Sequence, residues 1–298
     1  MPDRTTTFTD HDPHNGYYAG VSQAFDRAAQ NYDALYQANP VMAWMRSESL
    51  TALLTAFVPG SRLLEIGCGT GDEAIALSRA GYRIVATDIS AGMIDAARTK
   101  AQTLDPGEVT WRVLAAGRLV ELLGEYGPGS FDGAYASFGA LNCEPELAPV
   151  FDALARLLRP GAALVCSVMN RWCAWEIGWE LLHLHPRQAF RRLGKGWLTA
   201  GLASPGGSQP VPVLYYTPRG LERAFAPQFR TQAVFGLPVF LPPPYLAHLL
   251  DRHPALFSRL QRFERFLRDR FPFHALGDHF LLVAIRTGQA PASSQERR

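Results

Sequence analysis

Apolar and polar positions follow two rhythms along the chain. From residue 21 to 57 apolar residues recur at helical spacing, interrupted at Asn39-Pro40, where a helix cannot continue undisturbed. After that, short apolar runs alternate with amphipathic stretches. SRLLEI (61–66), YRIVATD (82–88), VTWRVL (109–114), FDGAYAS (131–137) and ALVCSVM (163–169) read as strands. Between them, TGDEAIALSRAG (70–81) reads as a helix closed by Gly81, and SAGMIDAARTKAQ (90–102) as a helix with Ser90 at its N-cap. RLVELLGEYG (118–127) and PELAPVFDALARLLRPG (145–161) supply two more helices. Strands alternating with helices predict a parallel sheet covered on both faces, an α/β doubly wound architecture.

Beyond Asn170 the rhythm changes. RWCAWEIGWELLHLHPRQAFRRLG (171–194) reads as an aromatic-rich helical insertion, LTAGLASPGGSQP (198–210) as a loop, and VPVLYY (211–216) as the start of a short extended piece. A short helix at 217–225 precedes FRTQAVFGLPVF (229–240), a sixth strand. A second helical insertion follows, and DHFLLVAI (278–285) is the last strand. The expected organisation is one seven-stranded, mostly parallel domain over 21–287. It carries N-terminal helices at 21–58 and substrate-side insertions after strands 5 and 6, at 171–215 and 242–274. The polar, aperiodic segments 1–20 and 288–298 read as disordered tails.

Composition narrows the function classes. The chain has 298 residues, 47% of them hydrophobic and 19% charged, as in ordinary globular proteins. A formal charge of +2 gives no ground for a nucleic-acid partner. Four cysteines without a C-x-x-C pair suit a reduced compartment, with Cys166 a small buried hydrophobe in a strand. No basic start precedes an apolar segment, and no run approaches the ~20 apolar residues a membrane helix needs. A cytoplasmic location is expected.

The chemistry concentrates at LLEIGCGTGD (63–72). Gly67, Gly69 and Gly71 follow the first strand as G-x-G-x-G, the place where open parallel sheets bind ligands. Glycines there let backbone N–H groups approach a ligand without an intervening Cβ. Glu65 ends strand 1, where it can bond an ammonium, and Asp88 ends strand 2, where a carboxylate can accept from both hydroxyls of an adenosine ribose. No G-x-x-x-x-G-K-S/T motif marks a triphosphate site. Asp72 stands where a dinucleotide fingerprint requires glycine, and its carboxylate would repel a pyrophosphate. The ligand expected is an adenosine carrying a cationic amino-acid end.

Glu65-Ile66-Gly67-Cys68-Gly69-Thr70-Gly71 and Asp88-Ile89-Ser90 resemble the first two motifs of class I S-adenosylmethionine-dependent methyltransferases, and LLRPGAAL (157–164) before strand 5 extends the likeness. The resemblance runs from about Phe25 to Asn170, and in outline to the final strand. It is similar to the broad methyltransferase-domain group that modifies small molecules, including quinone-type and lipid-like ones. It implies a Rossmann-like methyltransferase fold and S-adenosyl-L-methionine as cofactor. Gly67, Cys68, Gly69, Thr70 and Gly71 would line the methionine end with Glu65 beneath, and Asp88 would hold the ribose. Ile89 and Met93 would lie against the adenine, Ser137 and Phe138 would close over the methionyl part, and Tyr32 matches an N-terminal aromatic that caps the cofactor. The acidic residue common after strand 3 is missing. Ala115, Ala116 and Gly117 stand there, so backbone or an apolar face must serve.

Methyl transfer from a sulfonium is an in-line displacement that depends on positioning, and a hydroxyl acceptor needs a base. Asn142, Asn170 and Arg171 lie at the carboxyl edge of the strands. Asp278 and His279 join them if the last strand is antiparallel, His279 as a general base oriented by Asp278; alternatively the pair ties the second insertion to the sheet. His183 and His185 are two apart on a helix and cannot share a metal. Trp172, Trp175, Trp179 and Trp197 in the first insertion, and Phe257, Phe263, Phe266, Phe271 and Phe273 in the second, predict aromatic lids over an apolar or aromatic acceptor. Near 255–271, Leu256, Leu260, Phe263 and Leu267 share one helix face and Arg262, Arg265 and Arg268 the other. Such a basic amphipathic helix either contacts an anionic membrane peripherally or presents a solvated face. The expected function is methyl transfer to an apolar or aromatic small molecule. A lipid or isoprenoid acceptor at the membrane surface, or a non-catalytic adenosyl-binding module, are the alternatives. The lack of an N/D-P-P-Y/F motif after strand 4 (ASFGALN stands there) and of any basic tract argues against protein or nucleic-acid methylation.

Overall fold

The computed structural model describes residues 15–104, 107–194, 196–204, 207–250 and 253–288. Its strands are β1 (Arg62–Ile66), β2 (Arg83–Asp88), β3 (Val109–Val113), β4 (Phe131–Ala136), β5 (Leu158–Met169), β6 (Leu198–Ser204), β7 (Gly207–Val213), β8 (Phe229–Leu237) and β9 (His279–Arg286). Seven of them form one sheet in the order β3-β2-β1-β4-β5-β9-β8. β1 pairs in parallel with β2 and β4, β3 joins β2 and β5 joins β4 in parallel, while β9 runs antiparallel to both β5 and β8. The doubly wound expectation therefore holds, and the reversal of the last strand sets Met169, at the end of β5, opposite His279, at the start of β9.

The helices are α1 (Asn15–Ala28), α2 (Tyr32–Gln37), α3 (Pro40–Ala56), α4 (Asp72–Arg79), α5 (Ala91–Leu104), α6 (Leu122–Tyr126), α7 (Leu147–Leu157), α8 (Ala174–Leu182), α9 (Pro186–Ala189), α10 (Pro218–Phe225) and α11 (Pro254–Leu267). Adjacent residues of β1 enter opposite layers, as the two-residue period of a strand requires. Leu63 joins Leu77, Ile84, Tyr135 and Val165 on one face, and Leu64 joins Phe131, Phe151, Leu154 and Leu164 on the other. Asn39 breaks the N-terminal helical region as the sequence indicates: its Oδ1 accepts from Val41 N and Met42 N, capping α3, whose first residue is Pro40.

Three expectations need correction. Residues 15–20 are the first turns of α1, so the N-terminal helices start before 21; residues 1–14 and 289–298 of the expected tails lie outside the described residues. Segment 198–213 is not a loop leading into an extended piece but a β-hairpin, β6 with β7. Gly201, Pro210 and Pro212 hide its strand pattern, yet an isolated two-stranded ribbon has edges that admit proline, and Leu202, Val211 and Val213 are buried on its inner face. In α11 the packing face is not the leucine–phenylalanine stripe. It centres on Glu264, wholly buried, whose Oε1 accepts from Val239 N, Phe240 N and Leu241 N; Phe263 and Phe266 point outward, 56% and 62% exposed. Arg265 and Arg268 pair with Glu48 of α3, so they do not form a free basic face.

Candidate active site

The glycine turn joins β1 to α4 with left-handed φ of 68° at Gly67, 53° at Gly69 and 80° at Gly71, which a side chain would strain. The three positions do different work. A Cβ at Gly67 would lie 2.4 Å from the Ala140 Cβ, and one at Gly71 2.6 Å from the Trp111 ring, so these two allow the turn to approach the β4 loop and α4 to seat on the sheet. A Cβ at Gly69 would meet nothing within 4 Å. That room belongs to a cavity of about 590 Å³ over the carboxyl edge of the sheet, a volume typical of ligand sites.

Two carboxyls anchor this end. Glu65 is 1% exposed, and its Oε2 has no hydrogen-bond partner among the described residues. Burial, reinforced by neighbouring Glu73, pushes its carboxyl well above the usual range. The Tyr135 hydroxyl, also without a partner at hydrogen-bond distance among the described residues, lies beside it, and a buried oxygen so short of partners at the end of β1 is what a cationic amino group would satisfy. Asp88 Oδ2 accepts from Gly69 N at 2.8 Å and Oδ1 from Ser90 N at 2.9 Å. Burial raises the Asp88 carboxyl to about 6, against those two backbone bonds. Asp72 is not a free carboxylate: Lys100 pairs with it at 2.5 Å and Arg46 also reaches it. Thr70 and Lys100 in turn bond Asp33 of α2, at 2.5 and 2.6 Å, fastening the N-terminal helices to the turn.

The expected ligand contacts divide. Tyr32, Gly67, Cys68, Gly69, Thr70, Asp88, Ile89, Met93, Ala116, Ser137 and Phe138 form part of the cavity wall. Glu65, Gly71, Ala115 and Gly117 lie behind it: Glu65 and Ala115 are buried beneath, and Gly71 packs on Trp111. The tryptophan lids are not in the wall either. Trp175 Nε1 donates to Phe240 O at 2.9 Å, Trp179 stacks on His183, and Trp197 packs on Tyr17, so these rings hold the insertion together. The β6–β7 hairpin closes the cavity instead, through Thr199, Leu202, Val211 and Val213, with Tyr215 and Tyr245 beside it. Tyr216 packs against the core, His183 and His185 stay exposed away from the wall, and no cluster able to hold a metal occurs among the described residues.

Of the polar residues at the strand edge, Asn142 and Asn170 are fully buried braces: Asn142 Nδ2 donates to Leu214 O at 2.5 Å and Asn170 Nδ2 to Ala275 O at 2.8 Å. Arg171 donates to Leu193 O at 2.9 Å. Asp278 and His279 do reach the cavity. His279 Nδ1 lies 2.9 Å from Asp278 Oδ2, and Arg192 Nη2 lies 2.7 Å from Asp278 Oδ1 and 2.6 Å from Glu176 Oε2. Tyr245 donates to Glu176 Oε2 at 3.1 Å. Burial alone would raise the Asp278 carboxyl, but the Arg192 guanidinium and the His279 bond outweigh it and hold it well below the usual range. An ionised carboxylate beside Nδ1 favours the tautomer that carries its proton on that nitrogen. The His279 ring stands edge-on to Phe138, 6.4 Å between centroids. Sequence reading missed Arg192, Glu176 and Arg46; one arginine of an adjacent pair near a helix end carries no local mark of a buried ion pair.

Residues 63–161 match the family described as "Methyltransferase domain". The chain is 31% identical over 177 residues to a ubiquinone biosynthesis O-methyltransferase of Xylella fastidiosa, covering 52% of this chain and 67% of that protein. It is 27% identical over 150 residues to a demethylmenaquinone methyltransferase of Symbiobacterium thermophilum, covering 49% of this chain and 57% of that one. It thus spans roughly two thirds or less of the length of the curated relatives it matches. Among solved structures, the geranyl diphosphate C-methyltransferase of Streptomyces coelicolor A3(2), bound to S-adenosyl-L-homocysteine, superposes with a TM-score of 0.57 at 15% identity, over 92% of this chain and all of that one, a likeness of fold. The glycine turn, the buried Glu65 just before it, Asp88 at the end of β2 and the sheet order agree with these matches: the chain belongs to the class I S-adenosylmethionine-dependent methyltransferases.

Proposed function

We propose that the protein methylates a hydroxyl of an apolar or aromatic small molecule, with His279 as general base. The observation that carries this reading is the Arg192–Asp278–His279 chain, ending in an imidazole at the cavity wall beside Phe138. Bound in the same cavity, S-adenosylmethionine supplies an electrophilic methyl group. Glu65 would take its ammonium, Asp88 its ribose hydroxyls, and Gly69 leaves room for its chain. His279 Nε2 would take the proton from the acceptor hydroxyl as the oxygen attacks, Asp278 holds the ring in the right tautomer, and Arg192 keeps Asp278 ionised. Leu202, Val211, Val213 and Met169 present an apolar surface to the acceptor and exclude water. The relatives named for quinone biosynthesis support an aromatic acceptor of this kind.

The test is transfer of labelled methyl to a panel of phenols and quinols with graded alkyl tails. His279→Asn should lose on the order of 10²–10⁴ in kcat while S-adenosylhomocysteine binding stays the same. Undiminished transfer would remove His279 from the chemistry, and cofactor binding with no acceptor turned over would favour the non-catalytic adenosyl-binding reading.

A second reading, a lipid or isoprenoid acceptor met at a membrane surface, is favoured by the outer face of α11 and the segment after it. Leu256, Phe263 and Phe266 stand exposed there among Arg259 and Arg262, and Phe271 is 86% exposed. No helix among the described residues is long and apolar enough to cross a membrane, so contact would be peripheral. Flotation with anionic vesicles, abolished by Phe263→Ser with Phe266→Ser, would support it; equal failure to bind anionic and neutral vesicles would end it.

A further inference from the structure

The turn after β3 offers no side chain to an adenine amino group, but a residue from elsewhere stands over it. Residues 116–122 pack against α7, with Leu119 and Leu122 in one apolar cluster with Leu147, Val150 and Phe151, and the segment just before α7 comes next to Gly117. Glu144 lies in that segment, 4% exposed and part of the cavity wall. A Cβ at Gly117 would come within 2.8 Å of Glu144 Oε1 and 2.3 Å of the Tyr18 hydroxyl, so glycine there is what lets the carboxyl in. Tyr18 donates to Glu144 Oε1, and Tyr17 donates to Cys143 O at 2.8 Å, which together seat α1 across this end of the cavity. The same turn is tied to the end of β2 through the backbone: Leu114 N donates to the Asp88 carbonyl O at 2.8 Å. Ile89, Leu114 and Val21 line the same cavity as Asp88 and Glu144 and give it apolar surface there.

We infer that Glu144 accepts the hydrogen bond of the cofactor's adenine 6-amino group, replacing the side chain missing after β3, and so selects adenine over purines with a 6-carbonyl. This rests on the S-adenosylmethionine assignment. A carboxyl oxygen attracts an amino group and repels a carbonyl, and a buried polar site discriminates sharply because a mismatched group goes unpaired. Tyr18 positions the carboxyl, while the adenine contact is Glu144's own.

Calorimetry with S-adenosylhomocysteine and S-inosylhomocysteine tests this on the full chain. The wild type should prefer the adenosyl ligand by about 10- to 100-fold. Glu144→Gln, whose amide can donate to a carbonyl, should bring the two affinities within about threefold of each other. Tyr18→Phe, which keeps the carboxyl, should retain the preference. A full preference in Glu144→Gln, or equal affinities in the wild type, overturns the inference, and the wild-type comparison stands even if Glu144→Gln does not fold. Binding of neither ligand to the wild type refutes the cofactor assignment itself, and the role of Glu144 with it.

Discussion

Replacing Asp88 by asparagine removes a charge that burial penalises, and the pH dependence of stability exposes that penalty. The Asp88 carboxyl is raised from 3.8 to about 6 by burial. Two units correspond to about 3 kcal/mol of penalty on the ionised form. The folded-state value lies above the unfolded one, so between pH 4 and 6 the unfolded chain holds fewer protons and this group's contribution to stability falls as pH rises through that window. The uncharged amide of Asp88→Asn would escape the penalty. The bonds from Gly69 N and Ser90 N already count in that value, so the penalty is what remains after them. At pH 7.5 Asp88→Asn should therefore be the more stable in urea, by up to about 3 kcal/mol. At pH 4.5 the wild-type carboxyl is itself protonated, and the two proteins should agree within about 1 kcal/mol. Cofactor binding gives the independent reading. The variant should bind S-adenosylhomocysteine at least about tenfold more weakly at pH 7.5, since hydrogen bonds to a charged acceptor contribute ~1.5–3 kcal/mol each. Wild-type affinity should weaken by up to about tenfold per pH unit below 6, where a proton must leave before the ribose binds. A stability difference independent of pH, together with unchanged affinity, would refute both the burial penalty and the ribose role.

Arg192→Met leaves Asp278 buried with only His279 beside it, and should destabilise the fold by about 3–5 kcal/mol in urea titration; a loss below 1 kcal/mol would mean that the ion pairs with Glu176 and Asp278 are structurally idle. Gly71→Ala and Gly69→Ala form a matched pair. Both force a left-handed φ at about 1–2 kcal/mol, but only Gly71→Ala strikes Trp111, adding ~1–3 kcal/mol. Thermal unfolding should rank Gly71→Ala the less stable, and S-adenosylhomocysteine binding should rank Gly69→Ala the weaker per degree of melting temperature lost. A reversed order would contradict the separate duties assigned to the two glycines.

The fold was legible wherever the signal is local. Each strand of the main sheet announced itself by an apolar run bounded by turn residues, and Asn39-Pro40 marked a cap that the structure places on α3. The cofactor end was legible for the same reason: Gly67, Gly69, Glu65 and Asp88 are fixed by strand ends and a tight turn, all within one βαβ unit. What failed depends on which way a helix rolls and on what lies far away in sequence. α11 turned Phe263 outward because Glu264 found three backbone donors at 239–241, partners that no helical period records. The hairpin was hidden because Pro210 and Pro212 argue against a strand unless its edge is free. Arg192 meets Asp278 across 86 residues, and Glu144 meets Tyr18 across 126, separations that spacing rules do not reach.

The place of β9 in the sheet governs the order in which the protein can be assembled. Among the described residues β8 pairs with β9 alone, and β9 lies between β5 and β8, so β8 joins the sheet only once residues about forty positions later have slid in beside β5. His279 is the first residue of that inserted strand. A chain still on the ribosome therefore has its glycine turn and Asp88 well before His279 is made. On the role proposed for His279, the parts that bind precede the part that reacts, and the strand that closes the sheet also arms the site.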